Sequence, residues 1–139
     1  MSKVNHDIKK ILITGFPHCG TSVLKSVIGH SDEVYEVFCE TRPDSISADD
    51  LYNAKLNGKK FILIKHPEIL RFMTLRGYSD FSIIFIIRNP YYVYSSINKR
   101  KNYNVPESLS LDKYLDTCKL FISLREASNE ANIFCIKYE

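Results

Sequence analysis

The chain alternates short, continuous apolar runs with segments in which apolar residues recur at helical spacing. The apolar runs are rich in isoleucine, leucine, valine or phenylalanine and occupy residues 11–14, 61–65, 82–87 and 132–137, with a weaker run at 33–38. Because their apolar character is continuous rather than alternating, these runs predict strands that are covered on both faces, as in a parallel sheet.

Helical patterns lie between these runs, at residues 21–28, 49–57, 67–75, 90–100 and 112–127. We expect the following side chains of the first and last helices to face the core: Val23, Leu24, Val27 and Ile28, then Tyr114, Leu115, Leu120, Phe121 and Leu124. The order of strands and helices predicts a three-layer α/β domain, with a mainly parallel sheet flanked by helices. Its ligand is expected outside the carboxyl ends of the strands.

Composition narrows the class of protein further. The 139 residues, 45% hydrophobic and 25% charged, suit a single α/β domain spanning 1–139, and a net charge of +3 is too small to indicate a nucleic-acid partner. The four cysteines have no metal-like spacing, and the first ten residues lack the apolar stretch of a signal peptide. We therefore expect reduced thiols in a cytoplasmic protein, with no membrane partner and no metal. Because the chain stops just after an apolar strand, we also expect that the domain lacks its C-terminal portion.

The sequence GFPHCGTS, at residues 15–22, joins the first predicted strand to the first predicted helix. Its G-x-x-x-x-G spacing, followed by two hydroxyl residues, favours a loop whose backbone N–H groups hold a phosphate at the helix N-terminus. A full Walker loop would continue with a lysine, and Thr21 takes that position. The alternative is a glycine-bearing turn without a ligand.

Two further predicted strands end in cations, Lys65 and Arg88, where a magnesium-dependent phosphoryl-transfer enzyme usually carries an aspartate. This pattern indicates an anionic ligand that is neutralised directly, without a metal. Ser95 and Ser96 follow Arg88 in the next helix and could complete a second phosphate clamp, although a serine in a helix is more often simply solvated or bonded to the backbone. The two clamps together imply phosphate groups at two separated places.

Four stretches of the chain together resemble the sulfotransferases that use 3′-phosphoadenosine 5′-phosphosulfate (PAPS), closest in motif style to bacterial and tyrosylprotein-type members. They are GFPHCGTSVLKSVIGH, IKHP, FIIRNPYYVYSSI and FCIKYE, in the family's order. The resemblance implies a P-loop NTPase-like fold. It also implies transfer of a sulfuryl group from PAPS to a hydroxyl of a carbohydrate or another small metabolite.

The resemblance also implies roles for individual residues. The stretch that is similar to the family's P-[KR]-S-G-T-[ST] loop would hold the cofactor's 5′-phosphosulfate: Pro17, His18, Cys19, Gly20, Thr21 and Ser22. Arg88 and Ser96 keep the spacing of the family's arginine and serine and would bind the 3′-phosphate. His18 departs from the family's lysine or arginine, and Cys19 departs from its serine.

Two residues compete for the role of general base. CETRP, at residues 39–43, resembles the E-T-R stretch of tyrosylprotein-type and several bacterial members, in which the glutamate is the base, so Glu40 is the first choice. A solvated loop glutamate is the alternative. Lys65 matches a lysine that would lie near the sulfuryl group. His66 is the rival base, because cytosolic small-molecule sulfotransferases use a histidine that follows a similar lysine.

Two other functions stay open on the sequence. One is a P-loop nucleotide kinase or NTPase that has lost its lysine. The other is a nucleotide-binding fragment without turnover, since family members continue well beyond the K-Y-E segment.

Overall fold

The computed structural model describes residues 7–67, 81–101, 109–127 and 132–138. Its elements, in chain order, are β1 (Lys9–Gly15), α1 (Thr21–Gly29), β2 (Val34–Glu36), a 3₁₀ turn (Pro43–Ser45), α2 (Ala48–Leu56), β3 (Phe61–Lys65), β4 (Phe81–Arg88), α3 (Pro90–Lys101), α4 (Leu111–Ala127) and β5 (Ile133–Tyr138). The helix predicted at 67–75 lies almost entirely outside the described residues.

The strands form one five-stranded sheet in the order β2-β3-β1-β4-β5, and every neighbouring pair is parallel. Helices cover both faces. On one face α1 packs against Ile13 and Leu63, and on the other Phe121 of α4 stacks on Phe85 at a ring-centroid distance of 4.2 Å. This confirms the predicted α/β fold with its parallel sheet between helices.

The predicted core faces of two helices are partly wrong. Val23 and Val27 of α1 are 53% and 67% exposed, and the sheet contact of that helix runs through Leu24 and Ile28. On α4, the sequence also placed two leucines in the core that are exposed, Leu115 and Leu120. A helix touches a sheet along a narrow stripe, so an apolar stripe wider than that contact leaves its flank uncovered.

The topology places three strand ends together. From β1 the chain moves to β2 and β3 on one side of the sheet and then to β4 on the other, so the loop after β1 lies where the strand order reverses. Ligands of open α/β sheets bind at this point, outside the carboxyl ends of the strands. Among the described residues, no helix is long and apolar enough to cross a membrane.

Candidate functional site: a cleft at the carboxyl ends of the strands

A cleft of about 270 Å³ lies beyond the carboxyl ends of β1, β3 and β4. It is lined by the loop after β1, the first turn of α1, two strand-end cations and a few side chains from other elements: Pro17, His18, Gly20, Thr21, Ser22, Val23, Glu40, Lys65, Pro67, Arg88, Ser96 and Tyr138. Nine of the residues that the sequence predicted as functional are therefore brought together in one place. Their roles stay predictions.

The start of α1 presents backbone donors to this cleft. Gly20 is the N-cap and provides no side-chain cap, and the first helical bond runs from the Leu24 N–H to the Gly20 carbonyl at 3.0 Å. Because the first N–H groups of a helix have no acceptor within it, those of Thr21, Ser22 and Val23 are available where they line the cleft. Such a helix start is suited to an anion.

Both the backbone conformation at position 20 and the nearby ring of Tyr138 favour glycine there. Its φ is +95°, in the left-handed region that side chains disfavour. A Cβ at this position would lie 3.3 Å from the ring of Tyr138. Tyr138 of the last strand, β5, therefore packs against the loop that follows β1.

The Lys65 side chain reaches from the end of β3 to the first turn of α1. Its Nζ donates to Ser22 Oγ at 2.7 Å and lies 3.2 Å from Glu40 Oε1, and its side chain is only 12% exposed. Glu40 is 55% exposed, so solvent screens this ion pair and its contribution to stability is small. The cation that is absent from the loop sequence is supplied here by a neighbouring strand.

Arg88, at the end of β4, is fixed by several contacts. Its Nη1 donates to the His18 carbonyl at 3.2 Å, and its guanidinium lies 4.9 Å from the Tyr138 ring centroid and 5.7 Å from that of Tyr92. Both distances are within the range of cation–π attraction. The Tyr114 hydroxyl donates to the Arg88 carbonyl at 2.6 Å. Nε of Arg88 is buried and has no hydrogen-bond partner among the described residues.

His18 connects the loop to the second predicted clamp. Its Nδ1 lies 3.3 Å from Ser96 Oγ on α3, while its carbonyl accepts from Arg88. His18 is the one described non-glycine residue with a positive φ, +67°. Backbone strain of this kind persists only where surrounding contacts hold it, and these two bonds supply them.

Two predicted site residues lie outside the cleft lining. The His66 Nδ1–H donates to the Pro67 carbonyl at 2.7 Å, and its backbone N–H donates to Ile13. The Cys19 thiol is buried in an apolar cluster, and its N–H donates to the Phe16 carbonyl at 3.2 Å, so this N–H is not free for a phosphate. Burial, with a smaller contribution from Cys118, raises the Cys19 pKa to about 12.

Sequence reasoning assigned no role to two residues that the structure connects to this site. Tyr138 was part of the quoted K-Y-E motif, and it contacts both Gly20 and Arg88. Lys25 of α1 is 8% exposed, and nothing in the sequence marked it as buried. Within the described ranges, no three His, Cys, Asp or Glu side chains are grouped as metal ligands would be.

Two solved structures have a similar fold. The crystal structure of mouse sulfotransferase SULT7A1 complexed with PAP matches 94% of this chain and 51% of that chain, at 19% identity and a TM-score of 0.51. The fold is of the P-loop type. An unliganded sugar kinase from Janibacter sp. HTCC2649 matches 95% of this chain and 85% of that chain, at 13% identity and a TM-score of 0.47.

The chain spans about half the length of that sulfotransferase. At this level of identity the likeness establishes the fold alone. No family model matches the sequence, and no curated protein does.

Proposed function

We propose that the cleft binds PAPS and transfers its sulfuryl group to a hydroxyl of a carbohydrate or other small-molecule acceptor. The observation that carries this proposal is the position of Lys65. Its ammonium group lies against Ser22 in the first turn of α1, so a loop without its own lysine still has a cation beside its backbone donors. A second cation, Arg88, stands at the other side of the same cleft.

The described residues fit a ligand with two separated phosphate groups. The helix start and Lys65 offer N–H donors and a positive charge for one group. For the other group, Arg88 offers a buried Nε that has no partner among the described residues, and Ser96 lines the same cleft. Charge-assisted bonds from a guanidinium are the strong kind that a phosphate requires.

Within this proposal each side chain has a distinct task. The N–H groups of Thr21 and Ser22 hold the 5′-phosphosulfate, and Arg88 and Ser96 hold the 3′-phosphate. PAPS would supply the sulfuryl group. Glu40 accepts the proton of the acceptor hydroxyl as the oxygen of that hydroxyl bonds to sulfur, and a positioned base is worth about 10²–10⁴-fold.

Lys65 stabilises the negative charge that develops on the opposite side of the sulfur. The sulfur–oxygen bond to the nucleotide breaks as the new bond forms, and its electron pair stays on the nucleotide phosphate. The products are a sulfate ester and adenosine 3′,5′-bisphosphate. Glu40 and Lys65 line the same cleft, where their charged atoms lie 3.2 Å apart, so both can reach a sulfuryl group that is bound there.

A thermal-shift screen followed by a transfer assay tests the proposal. PAPS and adenosine 3′,5′-bisphosphate should raise the melting temperature with or without magnesium, and Mg·ATP should have little effect. Release of adenosine 3′,5′-bisphosphate from PAPS should then depend on one of a panel of hydroxyl acceptors. Stabilisation by Mg·ATP alone would contradict the proposal and favour a kinase. Binding of the bisphosphate without transfer to any acceptor would favour a nucleotide-binding fragment.

A further inference from the structure

Lys25 is a buried lysine in the helix that begins at the cleft. Lysine is almost never this buried unless it is paired, and Lys25 is 8% exposed. Its Nζ lies 3.4 Å from the Phe38 carbonyl oxygen, to which it donates, and 3.6 Å from Glu36 Oε1. Glu36 is the last residue of β2, and Phe38 lies between β2 and Glu40.

This segment is attached to β3 at its two ends. The Val37 N–H donates to the Leu63 carbonyl at 3.0 Å, and the Thr41 N–H donates to the Lys65 carbonyl at 3.1 Å. In the part of the chain that the structure describes, the three residues between these bonds make no backbone bond to the sheet. The Phe38 side chain is 95% exposed, so Lys25 holds this stretch through its carbonyl group.

Lys25 lies one helical turn after Thr21, on the helix whose first turn lines the cleft. Its ammonium group therefore connects the phosphate-binding end of the molecule to the segment that carries Glu40. We propose that Lys25 is a positioning residue, which fixes residues 37–41 against α1 and so sets the distance from Glu40 to the bound sulfuryl group. This inference rests on the proposed function.

The Glu40 side chain depends on such support. It is 55% exposed, and its one ion pair within the described residues is with Lys65. If Lys25 is removed, residues 38–40 lose this bond to α1, and the two flanking bonds to β3 still hold the segment. A displacement of about 1 Å at a reacting group can cost about 100-fold in rate.

The test compares Lys25→Met with Lys25→Arg in the whole chain, with Lys55→Met, an exposed lysine of α2, as the matched control. We expect kcat for sulfuryl transfer to fall about 10- to 100-fold in Lys25→Met. The KM for PAPS and the calorimetric affinity for adenosine 3′,5′-bisphosphate should stay within about twofold, because the phosphate-binding groups are unchanged. Lys25→Arg should recover most of kcat, and Lys55→Met should match the wild type.

Amide hydrogen exchange gives a readout that does not depend on turnover. The Val37 and Thr41 N–H groups, which donate to β3, should exchange faster in Lys25→Met and not in Lys55→Met, because the segment between them opens more readily without Lys25. Unchanged exchange and kcat, or a parallel loss of bisphosphate affinity, would overturn the inference. If Lys25→Met does not fold, Lys25→Gln supplies the same comparison. A wild type that neither binds the bisphosphate nor transfers sulfuryl groups instead refutes the proposed function, and the exchange result still decides whether Lys25 holds the segment.

Discussion

Lys65 and Glu40 are far apart in the sequence, and the fold brings their side chains together as an ion pair. Lys65 ends β3, and the residue that follows Glu40 is bonded to the Lys65 carbonyl through its backbone. That bond draws the glutamate alongside the strand end, where Oε1 is 3.2 Å from the ammonium group. His66, one residue further, faces the Pro67 carbonyl instead. Within the proposed function, this geometry favours Glu40 over His66 as the base.

Glu40→Gln should reduce transfer by about 10²–10⁴-fold, the usual contribution of a general base. Its affinity for adenosine 3′,5′-bisphosphate should change little, because glutamine keeps the shape and the phosphate-binding groups are elsewhere. His66→Ala is the matched control and should retain most of the activity. Initial rates and calorimetry on both variants check this. Loss of turnover in His66→Ala, with activity kept in Glu40→Gln, would exchange the two assignments.

At the level of single residues, the sequence predicted which residues line the cleft better than it predicted what their side chains contact. Motif spacing identified Lys65, Arg88 and Ser96, since strand ends and helix starts follow from the apolar pattern. It could not show that the Cys19 thiol turns into the core, because a loop has no fixed side-chain period. Lys25 was missed because the backbone carbonyl group to which it donates carries no sequence signal.

At the scale of elements, the apolar runs located the five strands to within a few residues. The longest described helices, α3 and α4, were also placed closely. What the pattern could not give was how much of each helix face the sheet covers, which is why Val23 and Val27 were assigned to the core. The part of a helix face that the sheet covers depends on the order of the strands, which is a property of the tertiary structure.

The contact between β5 and the loop after β1 can be tested at Gly20. Gly20→Ala should lower the free energy of unfolding by about 1–2 kcal/mol from the left-handed backbone alone. Crowding against the Tyr138 ring, 3.3 Å from the added Cβ, should add to this and weaken bisphosphate binding. Gly58→Ala is the control, because Gly58 has a φ of +66° and nothing within 4 Å of an added Cβ. Urea unfolding of both variants measures the difference. Equal losses in the two would show that Tyr138 does not constrain the loop.

At the scale of the whole molecule, the loop after β1 is anchored in the core by a neutral thiol. Burial holds the Cys19 pKa at about 12, above its ordinary value of 9.0. The stabilisation from this raised pKa is full below about pH 9 and is lost as the pH rises towards about 12. Over that window the unfolded chain releases the Cys19 proton and the folded chain keeps it, so the contribution of this thiol to stability falls by about 1.4 kcal/mol per pH unit.

Urea unfolding at about pH 8 and about pH 10 tests this dependence. Cys19→Ala should make the decrease between the two values less steep, whatever its effect on stability at about pH 8, while burial still raises the pKa values of Cys118 and Cys135. Cys39→Ala removes an exposed thiol and should leave the decrease as in the wild type. An equally steep decrease in Cys19→Ala would show that the buried thiol does not govern alkaline stability.

We propose above all that this cleft binds two phosphate groups through cations of the chain itself, Lys65 and Arg88. Calorimetric titration of the wild type and Arg88→Ala, without metal, with adenosine 3′,5′-bisphosphate and with adenosine 5′-monophosphate, tests it most directly. We expect the wild type to prefer the bisphosphate, and Arg88→Ala to lose about 1.5–3 kcal/mol for that ligand and much less for the monophosphate. An unchanged bisphosphate affinity in Arg88→Ala, or an equal loss for both nucleotides, would contradict the claim.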